Sequence, residues 1–179
     1  MTQVANTYAQ ALYALAKEEN LDQQILGQMD ALNQAFDREP GFLRLLAAPN
    51  LPKAERCGIL DESFRDKVHI YLLNFLKLLT EKGYIRHFGD CCKAYREHYN
   101  TDHGILTVQA VTAVALTGEQ SARLADKLAK LTGKTIELAN RVDPAVLGGV
   151  RLDYDGKRVD GTVQSRLDSV RDLLKNTVL

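Results

Sequence analysis

Tryptophan is absent from the 179 residues, and so is any net charge: 23 Lys and Arg balance 23 Asp and Glu. A chain without excess positive charge lacks the footprint of a protein that grips nucleic acid or an anionic membrane through bulk electrostatics. A partner must then be held by shape and apolar contact. Long apolar runs are missing too. Residues 1–16 are uncharged, but Gln3, Asn6 and Gln10 stand where a secretory signal needs a basic start and an apolar run, and there is no Arg-rich transit pattern. The longest later uncharged stretch, residues 104–118, falls short of the roughly 20 residues that span a bilayer. A soluble, cytoplasmic protein with no membrane insertion is expected. Cysteine is sparse: Cys57, Cys91 and Cys92 have no zinc-knuckle or redox spacing and read as free thiols in a reducing compartment.

Valine is scarce in one half only. It occurs at Val4 and Val68 before residue 103 and ten times after it. β-branched residues favour pleated, half-buried surfaces, so strands belong to the second half. The first half holds every His and Cys and has 12 basic against 14 acidic residues; the second has 11 against 9. The polar run Asn100-Thr101-Asp102-His103-Gly104 separates them. The expected fold is α+β in two domains: an N-terminal six-helix bundle over 1–103 and a small α/β C-terminal domain over 104–179.

Apolar spacing divides the first half into helices. Val4, Tyr8, Leu12 and Leu15 share one face, and Leu21, Ile25, Met29, Leu32 and Phe36 repeat the pattern, with Asn20 and Gln23 placed as a cap. Pro40 and Pro52 open short helices over 42–47 and 53–60. Asp66 is placed to cap a fifth helix with Val68, Leu72, Phe75 and Leu79, which is apolar on its other sides through Leu73, Leu76 and Leu78; Gly83 ends it. Phe88, Cys92, Tyr95 and Tyr99 form the stripe of a sixth.

The second half alternates. A strand is expected over 105–111, then a helix capped by Thr117 and Gln120 that buries Leu124, Leu128 and Leu131 and stops at Gly133. Ile136, Leu138 and Val142 mark a second strand. Asp155-Gly156 is a hairpin turn between two further strands, and Thr162 caps a last helix with Val163, Leu167, Val170 and Leu174 aligned.

No enzyme assembles from these residues. Gly133-Lys134-Thr135 matches the tail of a phosphate loop, but the Gly required five residues earlier is Leu128, inside a helix. Asp153-Tyr154-Asp155-Gly156 has its Gly too early for a calcium loop and reads as a hairpin tip. His69, His87, His98 and His103 have no ligand spacing, and nothing around Cys91-Cys92 activates a thiolate. No cofactor or metal is expected.

What remains is interaction surface. Tyr8, Ala9, Ala11, Leu12, Tyr13, Ala14, Leu15 and Ala16 wrap most of the first helix, more than one side of a bundle needs. Paired with the fifth helix, they outline either a groove for another protein's amphipathic helix or plain bundle core.

Three blocks carry a family resemblance: residues 8–16; Asn74-Phe75-Leu76-Lys77-Leu78-Leu79 with Lys82-Gly83; and Val142-Asp143-Pro144-Ala145-Val146-Leu147-Gly148-Gly149-Val150 with Val159-Asp160-Gly161-Thr162-Val163 and Arg166-Leu167. In order and spacing, over essentially the whole chain, they resemble the delta subunit of F-type ATP synthase and its mitochondrial relative, the oligomycin-sensitivity-conferring protein. The resemblance implies a non-catalytic stator subunit, present once in a hetero-oligomer at the inner face of an energy-transducing membrane. It implies that the N-terminal domain clasps the N-terminal helix of an alpha subunit and the C-terminal domain holds the b subunits, so that the head does not turn with the rotor. It places the alpha-subunit groove on Tyr8, Ala11, Leu12, Leu15, Phe75, Leu76 and Leu79. It leaves Asp143, Gly148, Gly149, Asp160 and Gly161 as mainly structural. Two positions depart from the family pattern: Asn6-Thr7 and Tyr84 stand where the family often has Arg. A helical adaptor for an unrelated amphipathic helix and a nucleotide-binding enzyme built on the second half are the competing readings. Leu12→Asp is expected to weaken attachment while sparing the fold.

Overall fold

A computed structural model describes residues 3–146, 148–154, 156–163 and 165. Its seven α-helices and four-stranded sheet, counted among those residues, make the chain α+β. It divides into two compact units, 1–99 and 100–179, so the division falls inside the last helix of the first half, a few residues before the expected boundary at 103.

Unit 1 begins with α1 (Gln3–Glu18) and α2 (Asp22–Arg38). Asn20 does not cap α2, as its position predicted. It takes φ of +55°, and Leu21 N–H reaches back to the Ala16 carbonyl at 2.8 Å, closing α1 with a left-handed residue. Asn tolerates that conformation better than most residues because its short side chain bonds locally. α3 (Pro40–Leu46) starts on its proline, and α4 (Lys53–Phe64) runs a turn beyond expectation. α5 (Ile70–Glu81) starts later than expected: His69, not Asp66, is the cap, its Nδ1 accepting from Tyr71 N–H at 3.3 Å. Gly83 ends α5 with φ of +78°, and a short 3-10 turn (Ile85–His87) leads into α6 (Phe88–Asp102).

The core of unit 1 is drawn from all six helices. Phe36 packs edge-on against Phe88 with centroids 5.3 Å apart and stacks on Phe42 at 5.8 Å, contacts worth about 0.5–1.5 kcal/mol each beyond their burial. Two side chains bond between helices: the Tyr95 hydroxyl donates to the Asp22 carbonyl at 3.1 Å, and Arg56 Nη1 donates to the Leu46 carbonyl at 3.1 Å, while Arg56 Nε is buried without a partner. Burial pushes the Cys91 thiol up to about 11 and the Cys92 thiol higher still, so neither is a ready nucleophile.

Unit 2 is built on β1 (Ile105–Thr112), α7 (Gly118–Thr132), β2 (Thr135–Val142), β3 (Val150–Tyr154) and β4 (Lys157–Asp160), in the sheet order β2-β1-β3-β4. β1 and β2 are parallel, joined by α7 as their crossover, and β3 and β4 pair antiparallel. The alternation Leu106, Val108, Ala110 turns one face of β1 inward. The Thr117–Gln120 capping box is formed in both directions, at 3.2 and 2.9 Å. One expectation fails here: α7 has no fully buried residue, and Leu131 is 83% exposed. Leu124 and Leu128 are half-buried, and Leu131, two residues before the Gly133 stop, stands in solvent. Of the last helix, Leu167, Val170 and Leu174 lie outside the described residues; Thr162 Oγ1 does accept from Ser165 N–H at 3.3 Å, as a cap would.

The Asp160 carboxylate is held below the usual carboxylate range by hydrogen bonds from Thr162, including its N–H at 2.9 Å. The unfolded chain therefore binds that proton more readily than the folded one. The stabilisation is complete above the ordinary carboxylate pKa and is lost as pH falls through the lowered one. Urea midpoints read on unit 2 amides from about pH 6 to about pH 3 are expected to fall, with a shallower slope in Asp160→Asn. An unchanged slope in the variant removes Asp160 from the linkage.

Candidate functional site

Four residues of α1 and four of α5 enclose an apolar trough of about 230 Å³: Tyr8, Ala11, Leu12 and Leu15 face Tyr71, Asn74, Phe75 and Leu78. Both sets follow i, i+3, i+4, i+7, so each helix presents a single stripe to the trough. Leu12 and Phe75 are buried and form its floor, while Leu15 and Leu78 remain 40% and 39% exposed on its walls. The other side of α1 explains how this is possible. Ala5, Ala9 and Ala16, with Leu12 and Tyr13, are the residues turned to the core, and their small side chains let α1 lie close without spending its larger apolar residues there. Val4 and Leu15 are thereby left exposed and Tyr8 half-buried, although their spacing with Leu12 reads as one buried face.

The α5 wall is positioned from its first turn. His69 N–H donates to Gln28 Oε1 at 2.8 Å, tying the start of α5 to α2. The His69 ring meets Tyr71 edge-on at 4.8 Å, which orients a wall residue. At the far end Tyr84, presented by the turn at Gly83, lies 6.0 Å from the Tyr8 ring.

Five of the seven residues expected at a groove line the trough: Tyr8, Ala11, Leu12, Leu15 and Phe75. Leu76 and Leu79 do not; both are wholly buried in the core. They are corrected to core residues. Tyr71, Asn74 and Leu78 were missed. Their spacing around Phe75 repeats that of the α1 set and is the signal that finds them.

The other candidates offer no chemistry. A larger hollow of about 520 Å³ lies along β1, β3 and β4, but its one described carboxylate, Asp153, is already paired with Arg158 Nε at 2.8 Å. Gly133 is the left-handed stop of α7, with φ of +69°, and leads into a strand; a phosphate loop leads into a helix. Asp153 pairs with Arg158 and Tyr154 with Lys157 across the β3–β4 hairpin, so Asp153 and Tyr154 belong to a strand and not to a calcium loop. Among the described residues, no three of His, Cys, Asp and Glu gather as a metal site, and no helix is long and apolar enough to cross a membrane.

A family model described as the ATP synthase delta (OSCP) subunit matches residues 4–174. The chain belongs to that family. The ATP synthase delta subunit of Alkaliphilus oremlandii is 31% identical over 98% of both chains, and that of Gloeobacter violaceus is 31% identical over 92% of this chain and 90% of its own. A chain in the mitochondrial ATP synthase hexamer of Toxoplasma gondii shares the fold, with a TM-score of 0.73 at 18% identity over 97% of this chain and 98% of that one. As a delta subunit, the protein is a non-catalytic stator component of the peripheral stalk and works within a hetero-oligomeric, membrane-bound ATP synthase.

The glycine and aspartate positions of the delta resemblance form one knot in unit 2. Asp143 N–H donates to the Thr112 carbonyl at 2.9 Å while its Oδ1 accepts from Ala145 N–H at 3.0 Å. Gly161 N–H donates to the Val150 carbonyl and Val163 N–H to the Gly148 carbonyl, both at 3.0 Å. Backbones cross there without room for side chains: a Cβ on Gly149 would stand 2.5 Å from the Gly161 oxygen. Of the two departures from the family pattern, Asn6 is engaged, its Oδ1 lying 3.1 Å from His98 Nε2, and Tyr84 puts an aromatic ring at the trough's end.

Proposed function

We propose that this subunit joins the catalytic head to the peripheral stalk, with the α1–α5 trough receiving the N-terminal helix of an alpha subunit. In this reading residues 1–103 are a six-helix bundle docked on the head, and the C-terminal unit holds the C-terminal ends of the b subunits. The protein sits as a single copy, peripheral on the inner face of the energy-transducing membrane. It makes no chemical bond; it resists the rotation of the head that rotor torque would otherwise cause.

The trough carries the proposal. Its two facing stripes leave the surface of a three-helix seam with one helix missing. Seven residues of helix rise about 10 Å, so the trough accommodates two turns of an amphipathic partner. Its lining is uncharged, in keeping with a neutral chain that recognises by shape.

The test is titration of the full chain with a peptide copying the N-terminal helix of the alpha subunit, following amide resonances. Residues of α1 and α5 around the trough are expected to shift. Leu15→Asp is expected to weaken binding by about a hundredfold, since a carboxylate placed in an apolar seam costs about 3 kcal/mol, with the fold intact. Shifts confined to other helices, or unchanged affinity in Leu15→Asp, would remove the trough from the reading.

A further inference from the structure

One side chain in the trough does not match its surroundings. Asn74 lies midway along the α5 stripe, between Tyr71 and Leu78 and opposite a wall of Tyr8, Ala11, Leu12 and Leu15. It is exposed, and its amide makes no hydrogen bond among the described residues. A helix laid in the trough takes that amide out of water, and an amide buried without partners loses the desolvation cost in full.

An apolar trough also recognises poorly along its length. A partner helix with apolar residues at i, i+3, i+4 and i+7 fits about as well when shifted by a turn, because burial is non-directional. A single polar residue in an otherwise apolar helical seam removes that degeneracy, as one Asn does at an inward position of a coiled coil. The facing α1 wall carries the small side chain of Ala11 among Tyr8, Leu12 and Leu15.

We infer that Asn74 fixes the register of the docked helix, and that its occupant carries one hydrogen-bonding side chain, an amide or hydroxyl, facing Asn74 within its apolar stripe. This rests on the trough receiving an alpha-subunit helix, as proposed above. Asn74 is a positioning residue: it selects one alignment, and the apolar walls supply most of the affinity.

The experiment uses the full chain and the alpha-subunit peptide, with Asn74→Leu and Asn74→Ala as paired variants. Each polar residue of the peptide is replaced by Leu in turn, and a spin label at the peptide's N-terminus reports which end of the trough it reaches. Asn74→Leu is expected to weaken the native peptide by about tenfold, the partner side chain being left unpaired. The label, which broadens one set of trough resonances most strongly in the unsubstituted protein, is expected to spread its strongest broadening over the neighbouring turn in the variants. One peptide substitution is expected to restore affinity for Asn74→Leu, so that the two changes couple in a double-mutant cycle. Equal affinity and an unchanged broadening pattern in both variants, or no peptide position that couples, overturns the inference and leaves the trough reading standing. Failure of the native peptide to shift any α1 or α5 resonance of the unsubstituted protein overturns both.

Discussion

Gly149→Ala is expected to unfold unit 2 while leaving unit 1 intact. Two penalties combine at this position. Gly149 holds φ of +87°, which an L side chain adopts at a cost of about 1–2 kcal/mol. Its Cβ would also stand 2.5 Å from the Gly161 oxygen and 2.9 Å from the Thr162 Cα, and both of these are backbone atoms. Relief requires moving the chain that passes from β4 toward Thr162, which breaks the bonds from Gly161 to Val150 and from Val163 to Gly148. The loss is expected to reach about 3 kcal/mol or more, severe for a small unit of marginal stability. Gly156 is the control: its φ is +70°, but no atom lies within 4 Å of its Cβ, so Gly156→Ala carries only the conformational cost. Urea titrations followed separately on β1 and α2 amides separate the two. Equal effects of the two substitutions would show that the close crossing is not what Gly149 is there for.

Leu76→Asp and Leu78→Asp, two positions apart on α5, are expected to act in opposite ways. Leu76 is wholly buried and Leu78 is 39% exposed on the trough wall. Removing a buried leucine costs about 2–5 kcal/mol, and a carboxylate in its place adds the price of burying a polar group. The sum rivals the whole stability of a domain this size, so unit 1 is expected to lose its cooperative transition. Leu78→Asp keeps the melting curve of the parent within about 1 kcal/mol and loses affinity for the alpha-subunit helix. The same contrast applies on α1. Leu12 is only 5% exposed, so Leu12→Asp tests the core, and Leu15→Asp tests the trough. A native melt for Leu76→Asp would place Leu76 at the surface and return it to the groove.

Helical periodicity made α2 and the stripe of α6 readable, because one apolar face against a polar remainder leaves a single solution. The same rule misassigned α1. When a helix is apolar nearly all round, periodicity no longer says which face is inward, and here close packing through Ala5, Ala9 and Ala16 decided it. α5 posed the same ambiguity, which is why Leu76 and Leu79 read as groove and Tyr71 and Leu78 went unnoticed. The Thr117–Gln120 box and the hairpin at Gly156 were legible because local hydrogen bonding determines them. The caps at Asn20 and His69 were not. At Asn20 a left-handed exit from α1 competed with a cap for α2, and at His69 a bond to Gln28 of a distant helix fixes where α5 begins.

The trough has one wall near the start of the chain and the other in a helix four elements later, so it exists only in a folded unit 1. If the trough receives a helix as proposed, docking and folding are linked equilibria. A partner present at a hundred times its dissociation constant adds about 2.7 kcal/mol to the stability of the unit that holds it. An unfolded or half-made chain has no surface on which to hold that partner. In that reading assembly favours the folded copies, which become more stable on incorporation.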